Sequence, residues 1–139
     1  MKVKCINNNL FAVKNSAATT SLSHYIRLTD GNLDIEVNQV YTVYGIEFRD
    51  NSPWFYLCPD NDSEYPKPYA HIFFEILDDR LSRYWRLATE QSNNNSTEAR
   101  LVIKEWAENS FFYELLLDGD DKISDVFSRM REVLDNEYE

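Results

Sequence analysis

The chain has 139 residues, of which 43% are hydrophobic and 14% aromatic, enough apolar material for one folded unit with its own core and too much for a disordered segment. Its 24 acidic residues outnumber 14 basic ones, for a net charge of -10, which argues against nucleic acid or an anionic membrane surface as partner, because phosphate binding draws on Lys and Arg. Cys5 and Cys58 stand alone without zinc-type spacing, and no run approaches the roughly 18 apolar residues of a membrane span, so the expectation is a cytoplasmic protein with free thiols.

Residues 1–6 alternate as a first strand with Val3 and Cys5 on one face, and Asn7, Asn8 and Asn9 end it. Residues 16–29 are polar and irregular and read as a long loop. It holds a short strand or turn at Tyr25, Ile26, Arg27 and Leu28, then a turn in which Gly31 takes a positive φ. The run QVYTVYGIEF, residues 39–48, is β-branched and aromatic and alternates as one strand. A turn at 49–53, a return strand at 54–58 and a further turn at 59–63 make this a β-meander. Pro66 and Pro68 forbid a regular central strand near Tyr65, but a helical turn can follow at 70–73, before a last short strand at 74–77.

Asp78 and Asp79 mark a possible seam between residues 1–79 and 80–139. Beyond it, residues 83–91 and 99–105 flank the tract SNNNST. Trp85, Leu87 and Thr89 share one face, as do Leu101 and Ile103, which favours a β-hairpin; a helix over 97–107 is the competing reading. Residues 108–117 read as a short amphipathic helix with Phe111, Phe112, Leu115 and Leu116 at helical spacing, stopped by Asp118 and Gly119. Ile123, Val126, Phe127, Met130 and Leu134 define a final helix that Asp120 or Asp121 can cap. The expected fold is α+β: a small antiparallel β-barrel, then a β-hairpin and two C-terminal helices packed on the barrel as one unit.

No constellation announces catalysis. Ser21, Ser23 and His24 lack a third orienting group, and Cys58 with His71 is the only other nucleophile and base pairing, so the chain is not expected to be an enzyme. Two acidic runs invite a calcium reading, residues 60–64 and 118–122. Both fail the loop pattern, since Tyr65 stands where glycine is required in the first and Gly119 is misplaced in the second. With three glycines no phosphate-cradling loop can be built, and neither cofactor nor metal is expected.

Charge is unevenly placed. Residues 80–104 carry five basic and two acidic side chains, net +3, whereas residues 105–139 carry three basic and eleven acidic, net -8. A solvated helix face accounts for this simply; the functional alternative is a docking surface for a basic protein. Asp118, Asp120, Asp121 and Asp125 are the candidate charges, with Tyr65, Tyr69, Trp106 and Tyr113 as candidate aromatic anchors.

The sequence QVYTVYGIEF, then PWFYLC, then EYPKPYAHIFFEI resembles the small Src-homology-3-like barrels of bacterial proteins over residues 1–79. The tail, with RYWRLATEQ, an EW step and a closing amphipathic helix, looks like those of small acidic immunity proteins of bacterial toxin systems. That resemblance implies a monomer or weak dimer that neutralises a basic toxin domain, often a nuclease, by occluding its active site. The alternative is a phage or bacterial adaptor using the barrel as an interaction module, with its affinity in Trp54, Tyr56 and Tyr69.

Overall fold

Val3 and Cys5 are wholly buried while Lys2 and Lys4, which alternate with them, are half-exposed, so the first strand already divides an interior from a surface. In the computed structural model, which describes residues 1–14, 16–22, 25–26, 30–91 and 97–138, the fold is α+β with two antiparallel sheets and C-terminal helices. Strands β1 (Lys2–Cys5), β2 (Val40–Thr42) and β6 (Phe74–Asp78) form the first sheet, in the order β2-β1-β6. The second sheet runs β5-β4-β3-β8-β7, from β3 (Gly45–Arg49), β4 (Ser52–Leu57), β5 (Lys67–Ala70), β7 (Trp85–Gln91) and β8 (Thr97–Ile103).

The sheets do not close into a barrel, which corrects the expected architecture. The run expected as one strand breaks between β2 and β3: the Val43 amide donates to the Met1 carbonyl (3.1 Å) and the Tyr44 amide to the Tyr56 carbonyl (2.8 Å). The chain so passes from one sheet to the other. The edge of β3 opposite β4 is then taken by β8, with Ile46 facing Leu101 and Phe48 facing Ala99. The hairpin therefore widens the second sheet. Gly45 permits this approach, because a Cβ there would meet Val102 Cγ1 at 3.0 Å.

Between the sheets lies an aromatic core in which Phe74 meets Phe55 edge-on with centroids 6.0 Å apart and Tyr69 at 6.4 Å. The β3-β4 turn is a two-residue turn with Asp50 (φ 50°) and Asn51 (φ 63°) both left-handed, the conformation that matches strand twist. Pro68 is accommodated because β5 is an edge strand, bonded only to β4. The helical turn expected at 70–73 is present as a single 3-10 turn, His71–Phe73.

Two local expectations need correcting. Helix α1 (Ser16–Leu22) stands where a loop was expected, its small residues Ala17 and Ala18 being good helix formers whatever their polar neighbours. Of the short strand or turn expected at 25–28, the described part is a turn, the Tyr25 and Ile26 amides both donating to the Leu22 carbonyl; residues 27–29 and the tract at 92–96 lie outside the described residues. The helix expected over 108–117 forms only from Phe112, as α3 (Phe112–Leu117); a separate short helix, α2 (Lys104–Ala107), precedes it, and the chain breaks between them. Asn109 causes the break, since its side chain accepts from the Phe111 amide (3.0 Å) and its carbonyl from the Phe112 amide (3.0 Å). The competing helix over 97–107 holds only for α2, the rest being β8. Helix α4 (Asp121–Asn136) follows Gly119, whose φ of 78° ends α3 as a left-handed cap, and Asp120 caps it by accepting from the Ile123 amide (3.0 Å).

Candidate binding surface

Helix α4 buries Phe127 and Leu134 and half-buries Ile123, Val126 and Met130, leaving Asp121, Lys122, Asp125 and Arg129 to solvent. From its inner edge Arg131 reaches across to the loop of residues 59–64. It donates to the carbonyls of Ser63 (2.8 Å) and Asp60 (3.3 Å), and its guanidinium stacks over the Tyr44 ring at 5.7 Å. Tyr44 in turn donates its hydroxyl to Asp135 (2.7 Å), so α4 is held against the first half of the chain at two points one helical turn apart. The loop is shaped by Asp60, whose carboxylate accepts from the Asp62 amide (2.9 Å) and the Ser63 hydroxyl (3.2 Å).

This staple leaves a hollow on either side of Arg131. One, of about 480 Å³, lies between the loop and the first half of α4, with Glu64 on one wall and Asp121 on the other. The second, of about 430 Å³, lies between the loop, the far half of α4 and the edge of β2. The two acidic runs that are some 55 residues apart in sequence thus face each other across one groove. Asp60, Asp62, Glu64, Asp118, Asp120, Asp121 and Asp125 are all exposed; of these, Glu64 and Asp121 line this groove and Asp60 lines the second hollow. Asp125 is countered by Arg129 at 2.9 Å, an exposed i,i+4 pair of small worth. Among the described residues no group of three His, Cys, Asp or Glu side chains is placed to hold a metal ion.

The candidate aromatics lie deeper than the candidate acids. Trp106 is 2% exposed, stacked on Phe112 and Tyr113 with centroids 5.5 and 5.6 Å apart, and Tyr56 meets it edge-on at 4.9 Å. Tyr113 is half-buried and donates to the Pro66 carbonyl (2.7 Å); Tyr65 is half-buried. Tyr69 is 5% exposed and donates to Asp34. Burial raises the phenol of Tyr113, and burial followed by the Asp34 bond raises that of Tyr69, so both stay neutral donors. These rings knit helices to sheet, and the exposed part of the surface is the carboxylates.

Cys58 lines the hollow beside Arg131, buried, its thiol pushed up to about 11 by burial. His71 is exposed on the 3-10 turn and lines a different, smaller hollow with Trp54 and Tyr25. Ser23 and His24 lie outside the described residues. Sequence reasoning did not assign Asp62, Glu64 or Arg131 to the surface. Asp60 to Glu64 were visible as a run, but nothing local to them says that a helix seventy residues later stands opposite.

Comparison of the chain with protein-family models, curated proteins and solved structures finds no match. Among the described residues no helix is long and apolar enough to cross a membrane.

Proposed function

We propose that this chain is an acidic binding protein that captures a basic protein domain, and that it acts as an immunity protein by covering the active site of a toxin. The observation that carries this reading is that Glu64 of the loop and Asp121 at the start of α4 line one groove, with the other carboxylates of both runs exposed nearby in sequence. A like-signed rim raises encounter rates with a basic partner and selects against acidic ones. The fold supports it by rigid presentation, since Arg131 and the Asp60 turn hold the two walls in place. We read the first half as related to a Src-homology-3-like module, held open where the hairpin has built on the edge of β3, in a cytoplasmic protein that is a monomer or weak dimer.

The adaptor alternative locates affinity in Trp54, Tyr56 and Tyr69, all of which are buried, whereas the acids are exposed. Affinity capture with the full chain at low and high salt tests the proposal. The captured protein is expected to be basic and to be released as salt rises. Reversing Asp62, Glu64 and Asp121 to lysine together is expected to slow its association at least about tenfold. Unchanged association of that triple variant would sink the proposal.

A further inference from the structure

Strand β2 carries an unpaired edge that opens into the hollow beside Arg131. It is the outermost strand of its sheet. The Cys5 amide donates to the Gln39 carbonyl (3.0 Å) and the Val43 amide to the Met1 carbonyl (3.1 Å), and Val3 is in register with Tyr41. In an antiparallel ladder the bonded pairs alternate, so residues 39, 41 and 43 point inward to β1. The amides and carbonyls of Val40 and Thr42 point outward. Among the described residues neither amide has a backbone partner, and the Val40 carbonyl receives only a long contact from Gln39 Nε2 (3.4 Å). Val40 and Thr42 both line the hollow.

Its rim is acidic. Glu36 and Asp60 line the hollow and are exposed, and Arg131 of its lining and Lys2 beside it are already engaged. Lys2 donates to the Thr42 hydroxyl (2.7 Å) and the Asp135 carbonyl (3.3 Å), and Arg131 to the loop carbonyls. The hollow's volume of about 430 Å³ is that of a ligand cleft. The edge of β5 offers no comparable template, because Pro68 has no amide to donate.

We propose that the free edge of β2 is a strand-addition site that takes an extended, basic segment of the partner, with its main chain on Val40 and Thr42 and its cationic side chains toward Glu36 and Asp60. This rests on the basic-partner reading and specifies how one part of that partner is held. Main-chain pairing supplies affinity independent of side-chain identity, and the acidic wall supplies the choice of basic segments.

The test uses the full chain, a nine-residue peptide of alternating lysine and valine with blocked ends, its analogue N-methylated at every backbone amide, and an alternating glutamate and valine peptide. Amide hydrogen exchange is followed residue by residue. The lysine peptide at saturation is expected to slow exchange at Val40 and Thr42 at least tenfold and to leave Tyr41 unchanged, since that amide already faces β1. The N-methylated and glutamate peptides are expected to protect neither. Glu36→Lys, at an exposed rim position, is expected to weaken the lysine peptide threefold or more. Equal binding of the N-methylated analogue, protection absent from Val40 and Thr42, or no binding at millimolar peptide overturns the proposal. Binding of both basic peptides that maps to Glu64 and Asp121 overturns strand addition while leaving the basic-partner reading standing.

Discussion

Glu47 on β3 is 6% exposed, and replacing it with glutamine probes what joins the hairpin to the rest of the sheet. Its carboxylate accepts from Arg49 at 2.7 Å through Nε and sits 2.7 Å from the second guanidinium nitrogen, accepts from the Tyr56 hydroxyl at 3.2 Å, and lies 3.6 Å from Arg100 of β8. Arg100 is in the strand position opposite Glu47, so this pair bridges the β3-β8 seam. Removing one charge of a buried pair costs about 3–5 kcal/mol when the other is left unpaired. Arg100 keeps Glu90 (3.1 Å) and Glu98 (3.6 Å), and Arg49 is a quarter exposed and stacked on Trp54 at 4.8 Å, so both retain compensation. Glutamine also keeps an acceptor for Tyr56. The expected loss for Glu47→Gln is therefore about 2–3 kcal/mol, below the full range. Urea denaturation should show it as a lower midpoint at unchanged slope, and calorimetry as a fall in Tm of roughly 5–10 °C for a chain of this size. Glu47→Gln combined with Arg100→Gln should cost less than the sum of the singles, because they share one interaction. A loss under about 1 kcal/mol, or strict additivity, would refute the view that buried charge pairing holds this seam.

Asp120→Ala removes the α4 cap and should cost about 1 kcal/mol, with asparagine restoring most of it, as read from denaturation midpoints. At Asp34, burial pushes the carboxyl up, but the hydrogen bonds from Lys67 and Tyr69 outweigh it and hold it below its ordinary value. Its folded value being depressed, its contribution is present above the unfolded value, near pH 4, and lost as pH falls through the folded one. The stability gap between the native chain and Asp34→Asn should thus be constant from pH 7 to about 5 and narrow below about 4; a gap that does not narrow at all as pH falls below about 4 contradicts the assignment. Cys58, buried with its thiol pushed up to about 11, should resist thiol reagents at pH 8 although it lines the hollow, and react in full only after unfolding; rapid labelling of the folded chain would contradict this.

Periodicity and turn chemistry are local, and where they ruled, the reading of the sequence survives. The heptad-like row from Ile123 to Leu134, the cap at Asp120, the stop at Gly119 and the hairpin register that sets Leu87 opposite Leu101 all depend on neighbours within a few residues or across one turn. Short elements were less legible. Helix α1 has no apolar stripe strong enough to outvote its serines and threonines, and Asn109 breaks a helix through a side-chain bond that periodicity does not register.

The broad α+β class, the acidity and the candidate carboxylates were set by composition and order of residues alone. Whether the first half closes on itself was decided by tertiary structure, because strand edges compete for partners and β8 took the edge of β3. Tertiary structure likewise sorted the candidate anchors, burying Trp106 and Tyr69 and leaving the acids in water, since burial is a property of what packs against a side chain and not of the side chain. The groove exists for the same reason. Its two walls are distant in sequence, and Arg131, reaching from α4 to the carbonyls of residues 60 and 63, ties them together.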